Sequence, residues 1–209
     1  MPTKTEARLV ASFARPGGNL TGISLFTLAL VGKRMELMKE VLPGLRRIAV
    51  IGGSQHPGET KERDEAQKAA SALGLSMRYY AVTSSADVEA ALADIARKRD
   101  EAILAFADGF MMGFAKRIAD FSLQHRIPAV DGWAQFAEAG NLMTYGPVFV
   151  DVYRRLATHA DRIRKGAKPG DLPVELPTKV ELVINATTAK AMGITIPPAV
   201  LARADVVIR

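Results

Sequence analysis

Four segments of this chain end in residue types suited to holding a small charged molecule. Arg47-Ile-Ala-Val-Ile-Gly52 runs into Gly53-Ser-Gln-His-Pro-Gly58, and Ala102-Ile-Leu-Ala-Phe-Ala107 runs into Asp108-Gly-Phe110. Ile127-Pro-Ala-Val130 runs into Asp131-Gly-Trp133, and Asn141-Leu-Met-Thr-Tyr145 leads into Gly146. The candidate binding residues are therefore Ser54, Gln55, His56, Asp108, Phe110, Asp131, Trp133 and Tyr145. A carboxylate among them can pair with an ammonium group, and an aromatic ring can pack on an apolar side chain. That chemistry suits a small zwitterion. The same two aspartates read equally well as caps of the helices that follow them.

Catalysis fits the residues poorly, and no enzyme is expected. The three histidines, His56, His125 and His159, show no metal-ligand spacing, and no Ser/His/Asp order is convincing. His125 falls at the end of a helical pattern, where a cation suits the helix dipole, and His159 falls on an apolar stripe as a packing residue. No metal or cofactor is implied. The run Gly53 to Thr60 has the spacing of a phosphate-binding G-x-x-x-x-G-K-[ST] loop, but Glu59 stands where the lysine must be. A carboxylate there repels phosphates, and Pro57 lacks an amide donor.

The elements that must position these loops alternate in type. The apolar run 47–52 reads as a buried strand, and Glu59 to Leu73 as a helix with Ala66, Ala69, Ala70 and Leu73 on one face and Gly74 at its C-cap. Residues 76–82 read as a second strand. Ser84 and Ser85 can cap a helix whose inner face is Val88, Leu92 and Ile95. A third strand over 102–107 precedes Met111, Ala115, Ile118 and Ser122 at helical spacing. Short strands follow over 127–130 and 141–145. Such alternation predicts an α/β fold with a doubly wound parallel sheet, whose ligands bind beyond the carboxyl ends of the strands. Flanking helices are predicted on the stripes Leu28, Val31, Met35, Met38, Leu42 and Val148, Val152, Leu156, Ile163. Lys179 to Ile184 is β-prone, and Thr187 to Met192 reads as a short helix.

Composition sets the outer bounds. With 209 residues, 48% hydrophobic and 24% charged, the chain can bury one good core. No apolar run is long enough to cross a bilayer. The net charge of +6 raises the question of nucleic acid. Its densest cluster, Arg154, Arg155, Arg162, Arg164, Lys165 and Lys168, is interleaved with Asp151 and Asp161 and reads as a solvated helix. No nucleic-acid partner is expected. There are no cysteines, so disulfides and thiolate metal sites are excluded.

The end of the chain carries a more specific signal. Asp171-Leu-Pro-Val-Glu-Leu-Pro-Thr-Lys-Val-Glu-Leu-Val-Ile-Asn185, Thr188-Ala-Lys-Ala-Met-Gly-Ile-Thr-Ile-Pro-Pro198 and Leu201-Ala-Arg-Ala-Asp205 closely resemble the C-terminal part of the tryptophan/tyrosine-type ABC-transporter substrate-binding proteins, which have a type I periplasmic-binding fold. The segment 9–24, with Arg15-Pro-Gly-Gly-Asn-Leu-Thr-Gly22, resembles the family's inter-lobe segment. Lys33-Arg-Met-Glu-Leu-Met-Lys-Glu-Val-Leu-Pro43 resembles the helix after it. Phe136-Ala-Glu-Ala-Gly-Asn-Leu-Met-Thr-Tyr-Gly146 resembles the stretch before the last crossover.

The resemblance implies a clamshell that captures a small organic solute, such as an aromatic amino acid, and delivers it to an ABC permease, with lobe closure as the signal. It implies ligand positions in the loops after Gly52, at Asp108 and at Asp131. The whole chain is expected to form one α/β domain equivalent to the second lobe, about residues 22–146, plus crossover segments 1–21 and 147–209. The family is periplasmic. The N-terminal residues show no signal peptide, so the chain as written would remain in the cytoplasm. With no first lobe, Met35, Met38, Leu156 and Ile163 are expected to be exposed and to drive homo-oligomer formation, most simply a dimer. The competing expectation is a cytoplasmic small-molecule sensor on the same fold.

Overall fold

The computed structural model describes residues 9–55 and 58–209, and His56 lies outside the described residues. Contacts divide the chain into two compact units, one of residues 27–146 with 181–209 and one of residues 1–26 with 147–180.

The larger unit is built on a seven-stranded sheet in the order β2-β1-β3-β4-β5-β6-β7. Its strands are β1 (Arg47–Gly53), β2 (Ser76–Val82), β3 (Ala102–Ala105), β4 (Ala129–Asp131), β5 (Met143–Pro147), β6 (Val180–Asn185) and β7 (Val206–Ile208). β1 pairs in parallel with β2 and β3, β3 with β4, β4 with β5, and β6 with β7. The chain runs outward from β1 to β2 and then crosses to β3, so the order reverses at the β1–β3 boundary. That is where a doubly wound sheet opens a crevice at its carboxyl edge.

Both faces are covered, because β1 is apolar on both sides. Ile48 and Val50 enter one core and Ala49 and Ile51 the other. Helices α1 (Thr27–Val41) and α2 (Glu59–Ala72) cover the first face, with α8 (Ala186–Met192) and α9 (Pro198–Leu201). Helices α3 (Ser85–Lys98), α5 (Ala115–His125) and α6 (Ala134–Glu138) cover the second. Ser84 caps α3 in a reciprocal box with Asp87, and Gly74 takes the left-handed conformation after α2, at φ 66°.

The structure departs from the sequence reading in several places. Met35 and Met38 are fully buried in the first core, not exposed, because α1 lies on the sheet with α2 beside it. The helical pattern expected through 111–122 is broken into α4 (Gly109–Met112) and α5, with Phe114 as the N-cap of α5. β4 begins after Pro128 and includes Asp131. The strand β7 and helix α9 were not expected at all; each is at most four residues long.

The smaller unit contains α7 (Phe149–Arg164). It buries Val152, Leu172 and His159, and polar contacts join its segments. Arg155 pairs with Glu175, and the buried His159 ring lies 3.1 Å from the Arg155 carbonyl and 3.2 Å from that of Pro173. Thr21 donates to the Leu172 carbonyl at 2.8 Å, and Ile23 bridges Glu175. Ile163 is exposed and Leu156 is half-buried.

Candidate functional site

The β1–β3 crevice is closed from below by Asp108. A Cβ on Gly52 would lie 2.5 Å from the Phe106 ring and 2.8 Å from the Tyr79 hydroxyl, and one on Gly53 would lie 3.1 Å from Asp108 Oδ2. The glycine pair therefore lets the β3 exit press against the β1 exit. Asp108 Oδ2 accepts the Gly53 N–H at 3.3 Å, and Oδ1 accepts the Met111 N–H at 2.8 Å, capping α4. With 5% exposure, Asp108 spends both oxygens on backbone. The capping role weighed from sequence is thus present. Its carboxyl group lies beneath the crevice.

The β4 and β5 exits are fused in a similar way. Asp131 is fully buried, and its Oδ1 accepts the Trp133 N–H at 2.8 Å. A Cβ on Gly132 would lie 2.7 Å from Ala107 and 2.3 Å from the Arg34 guanidinium. One on Gly146 would lie 1.8 Å from the Gly132 carbonyl oxygen. The loops after β3, β4 and β5 are therefore in direct contact, which brings Asp108, Asp131, Trp133 and Tyr145 to one edge. Ser54 and Gln55 are exposed beside Gly53, and Ser54 N–H donates to the Val82 carbonyl at 3.0 Å. Phe110 is 37% exposed and packs on Phe114 with ring centroids 5.1 Å apart. Tyr145 is half-buried, whereas Trp133 is buried.

Arg34 was not among the residues singled out from the sequence. It sits on α1 among Val31, Met35 and Met38 and is fully buried. Nε donates to the Tyr145 carbonyl at 2.9 Å. Burial lowers the Arg34 pKa, and the charges of Asp131 and Glu62 oppose that. Burial raises the Asp131 pKa from 3.8 to about 7; Arg34 and the N–H groups of Trp133 and Gly132 pull it down, and Asp108 pushes it up. Glu62 and Asp131 act on Arg34, Asp108 acts on Asp131, and all four are buried. A sequence signal for Arg34 did exist: a charged residue three positions from Val31 and four from Met38, inside an apolar stripe.

Glu59 accepts a hydrogen bond from Tyr79, and burial with that bond pushes the Tyr79 phenol well up. Arg63 lies over the Tyr79 ring, 5.6 Å from its centroid. Among the described residues, no group of His, Asp and Glu could hold a metal ion.

A doubly wound layer of this order, with polar and aromatic loops at its carboxyl edge, is the fold of type I periplasmic-binding proteins. The chain belongs to the family described as ABC transporter substrate binding protein, which matches residues 3–208. That family consists of solute-binding proteins, not enzymes. A tyrosine-binding protein from Clostridioides difficile (strain R20291) is 24% identical over 187 residues, covering 90% of this chain and 53% of the relative. The chain thus spans about half the length of the curated relative it matches. A conserved domain protein from Vibrio cholerae O1 biovar El Tor superposes with a TM-score of 0.90 at 29% identity, over 99% of this chain and 69% of that one. An ABC domain from Streptococcus pneumoniae in complex with L-Trp superposes with a TM-score of 0.88 at 26% identity, over 99% and 71%.

Proposed function

We propose that the carboxyl edge of the larger unit forms one side of a solute site that takes an aromatic amino acid, as the binding component of an ABC importer. The observation that carries this reading is the exposed Phe110 and half-buried Tyr145 at an edge floored by the buried carboxylates Asp108 and Asp131. The aromatic rim takes an apolar side chain, and a carboxyl group at the floor can pair with the ammonium group. Ser54 and Gln55 supply hydrogen bonds at the rim. The L-Trp ligand of the pneumococcal structure and the tyrosine-binding character of the Clostridioides relative support the same class of solute.

In this reading the chain acts as a second lobe, about residues 22–146 with crossover segments, and delivers solute to an ATP-driven permease. Among the described residues, no helix is long and apolar enough to cross a membrane. The smaller unit exposes Leu20, Val150, Tyr153 and Ile163, which supports self-association.

Melting the protein with L-tryptophan, L-tyrosine and L-phenylalanine, and with the matching amines and deaminated acids, tests the assignment. A ligand that binds the folded chain raises its stability by mass action. The amino acids and amines are expected to raise the melting temperature, and the deaminated acids are not. Equal stabilisation by the deaminated acids, or none by any of the set, would contradict the proposal.

A further inference from the structure

The opposite edge of the sheet carries a second concave feature that the solute site does not use. Helices α3 and α5 both end there, beside the amino ends of β1, β3 and β4. A groove of about 430 Å³ is lined by Arg47, Arg99, Asp100, Glu101, His125 and Arg126. That falls within the range of roughly 300–1,000 Å³ typical of small-molecule clefts.

Its two helix ends share an unusual feature. The C-cap of α3 is Arg99 in the left-handed conformation, at φ 57° and ψ 43°. The C-cap of α5 is Arg126, at φ 55° and ψ 39°. Glycine adopts this conformation without a Cβ clash, and the chain uses it elsewhere, with Gly74 after α2 and Gly193 after α8. The helix dipole does not require arginine at the strained position. Arg97 and Lys98 already place cations in the last turn of α3, and His125 ends α5.

The carboxylates of the groove are already engaged. Asp100 pairs with Arg78 at 3.2 Å, and Tyr80 lies 3.5 Å from it. Glu101 accepts the N–H groups of Arg46 and Arg47 at 2.7 and 3.0 Å and pairs with the Arg47 guanidinium at 2.7 Å. Arg47 Nε also donates to the Arg99 carbonyl at 3.0 Å. Among the described residues, no carboxylate pairs with the side chain of Arg99 or Arg126, and both residues are exposed. The groove therefore keeps two uncommitted guanidinium forks on separate helix ends. Such forks match the geometry of an oxyanion with several acceptor oxygens. Their two full charges also outweigh the two partial charges of the helix C-termini.

We infer that Arg99 and Arg126, at the amino edge of the sheet, form a second binding site for a small oxyanion of the phosphate or phosphomonoester class. The site is independent of the solute assignment.

Inorganic phosphate titrated into the full chain, followed by amide and arginine Nε–Hε resonances against a sodium chloride control at matched ionic strength, tests this. Saturable shifts are expected at residues 97–101 and 124–127 and at the two arginine side chains. Arg99→Gly and Arg126→Gly should each weaken phosphate binding by about tenfold, the scale of one charge-assisted hydrogen bond. Because glycine suits these dihedrals, both variants should melt at or above the temperature of the parent chain. Shifts that match the chloride control, or a double glycine variant that binds phosphate as the parent does, would overturn the inference. So would glycine variants that lose stability while phosphate binding is unchanged, which would reduce both arginines to helix caps.

Discussion

The buried Arg34 donates from Nε to the carbonyl oxygen of Tyr145 at 2.9 Å, across 111 residues of sequence. A helix that precedes the first strand thereby holds the exit of the fifth. The same guanidinium packs on Gly132, so one side chain ties the β4 and β5 exits together. Replacing it with an apolar residue of similar length removes the cation that lowers the Asp131 pKa and frees a buried carbonyl. Arg34→Met is expected to cost about 3–5 kcal/mol of unfolding free energy in urea titrations. A loss below about 1 kcal/mol would show that the guanidinium is not what holds these strand ends.

Asp131 links this edge to pH. Its pKa is about 7 in the folded chain, against 3.8 for an ordinary aspartate. Between those pH values the folded chain binds more protons than the unfolded one, so the contribution of Asp131 to stability falls as pH rises. The unfolding free energy of the parent minus that of Asp131→Asn should be flat below about pH 4. It should then decline toward about pH 7, on the scale of 1.4 kcal/mol per pKa unit, and level off above. A difference that rises with pH over this window would contradict the assignment.

The close approach of Gly146 to Gly132 sets a steric test. An added Cβ would meet a backbone carbonyl oxygen at 1.8 Å, which no side-chain rotation can relieve. Gly146→Ala is expected to lose about 3 kcal/mol. At Gly44, where nothing lies within 4 Å of the added carbon, the same change should stay within about 0.5 kcal/mol. Thermal melts of the two variants side by side would check both values.

The parts of the fold legible in the sequence are those specified by neighbouring residues. Ser84 with Asp87, the glycine at 74 and the apolar run at 48–51 each carry their structural reason within a few positions. The short β7 and α9 gave no comparable periodicity, because three or four residues cannot display a period. The helix expected through 111–122 is interrupted because Asp108 starts one helix and Phe114 the next, a division that apolar spacing alone does not reveal. At the candidate site, the strand ends were legible and their chemistry only partly so. Asp108 could be read as a cap or as a binding group, and the capping bonds appear only once Gly53 and Met111 are placed. Arg34 was missed because its partners lie far along the chain.

The central claim is that an aromatic amino acid binds at the carboxyl edge of the larger unit. Amide chemical shifts of the full chain recorded during titration with L-tryptophan and L-tyrosine test it most directly. The account predicts saturable shifts centred on residues 53–55, 108–112, 131–135 and 144–146, reduced by Phe110→Ala. Saturable shifts centred elsewhere, or no saturable shifts with either amino acid, would contradict it.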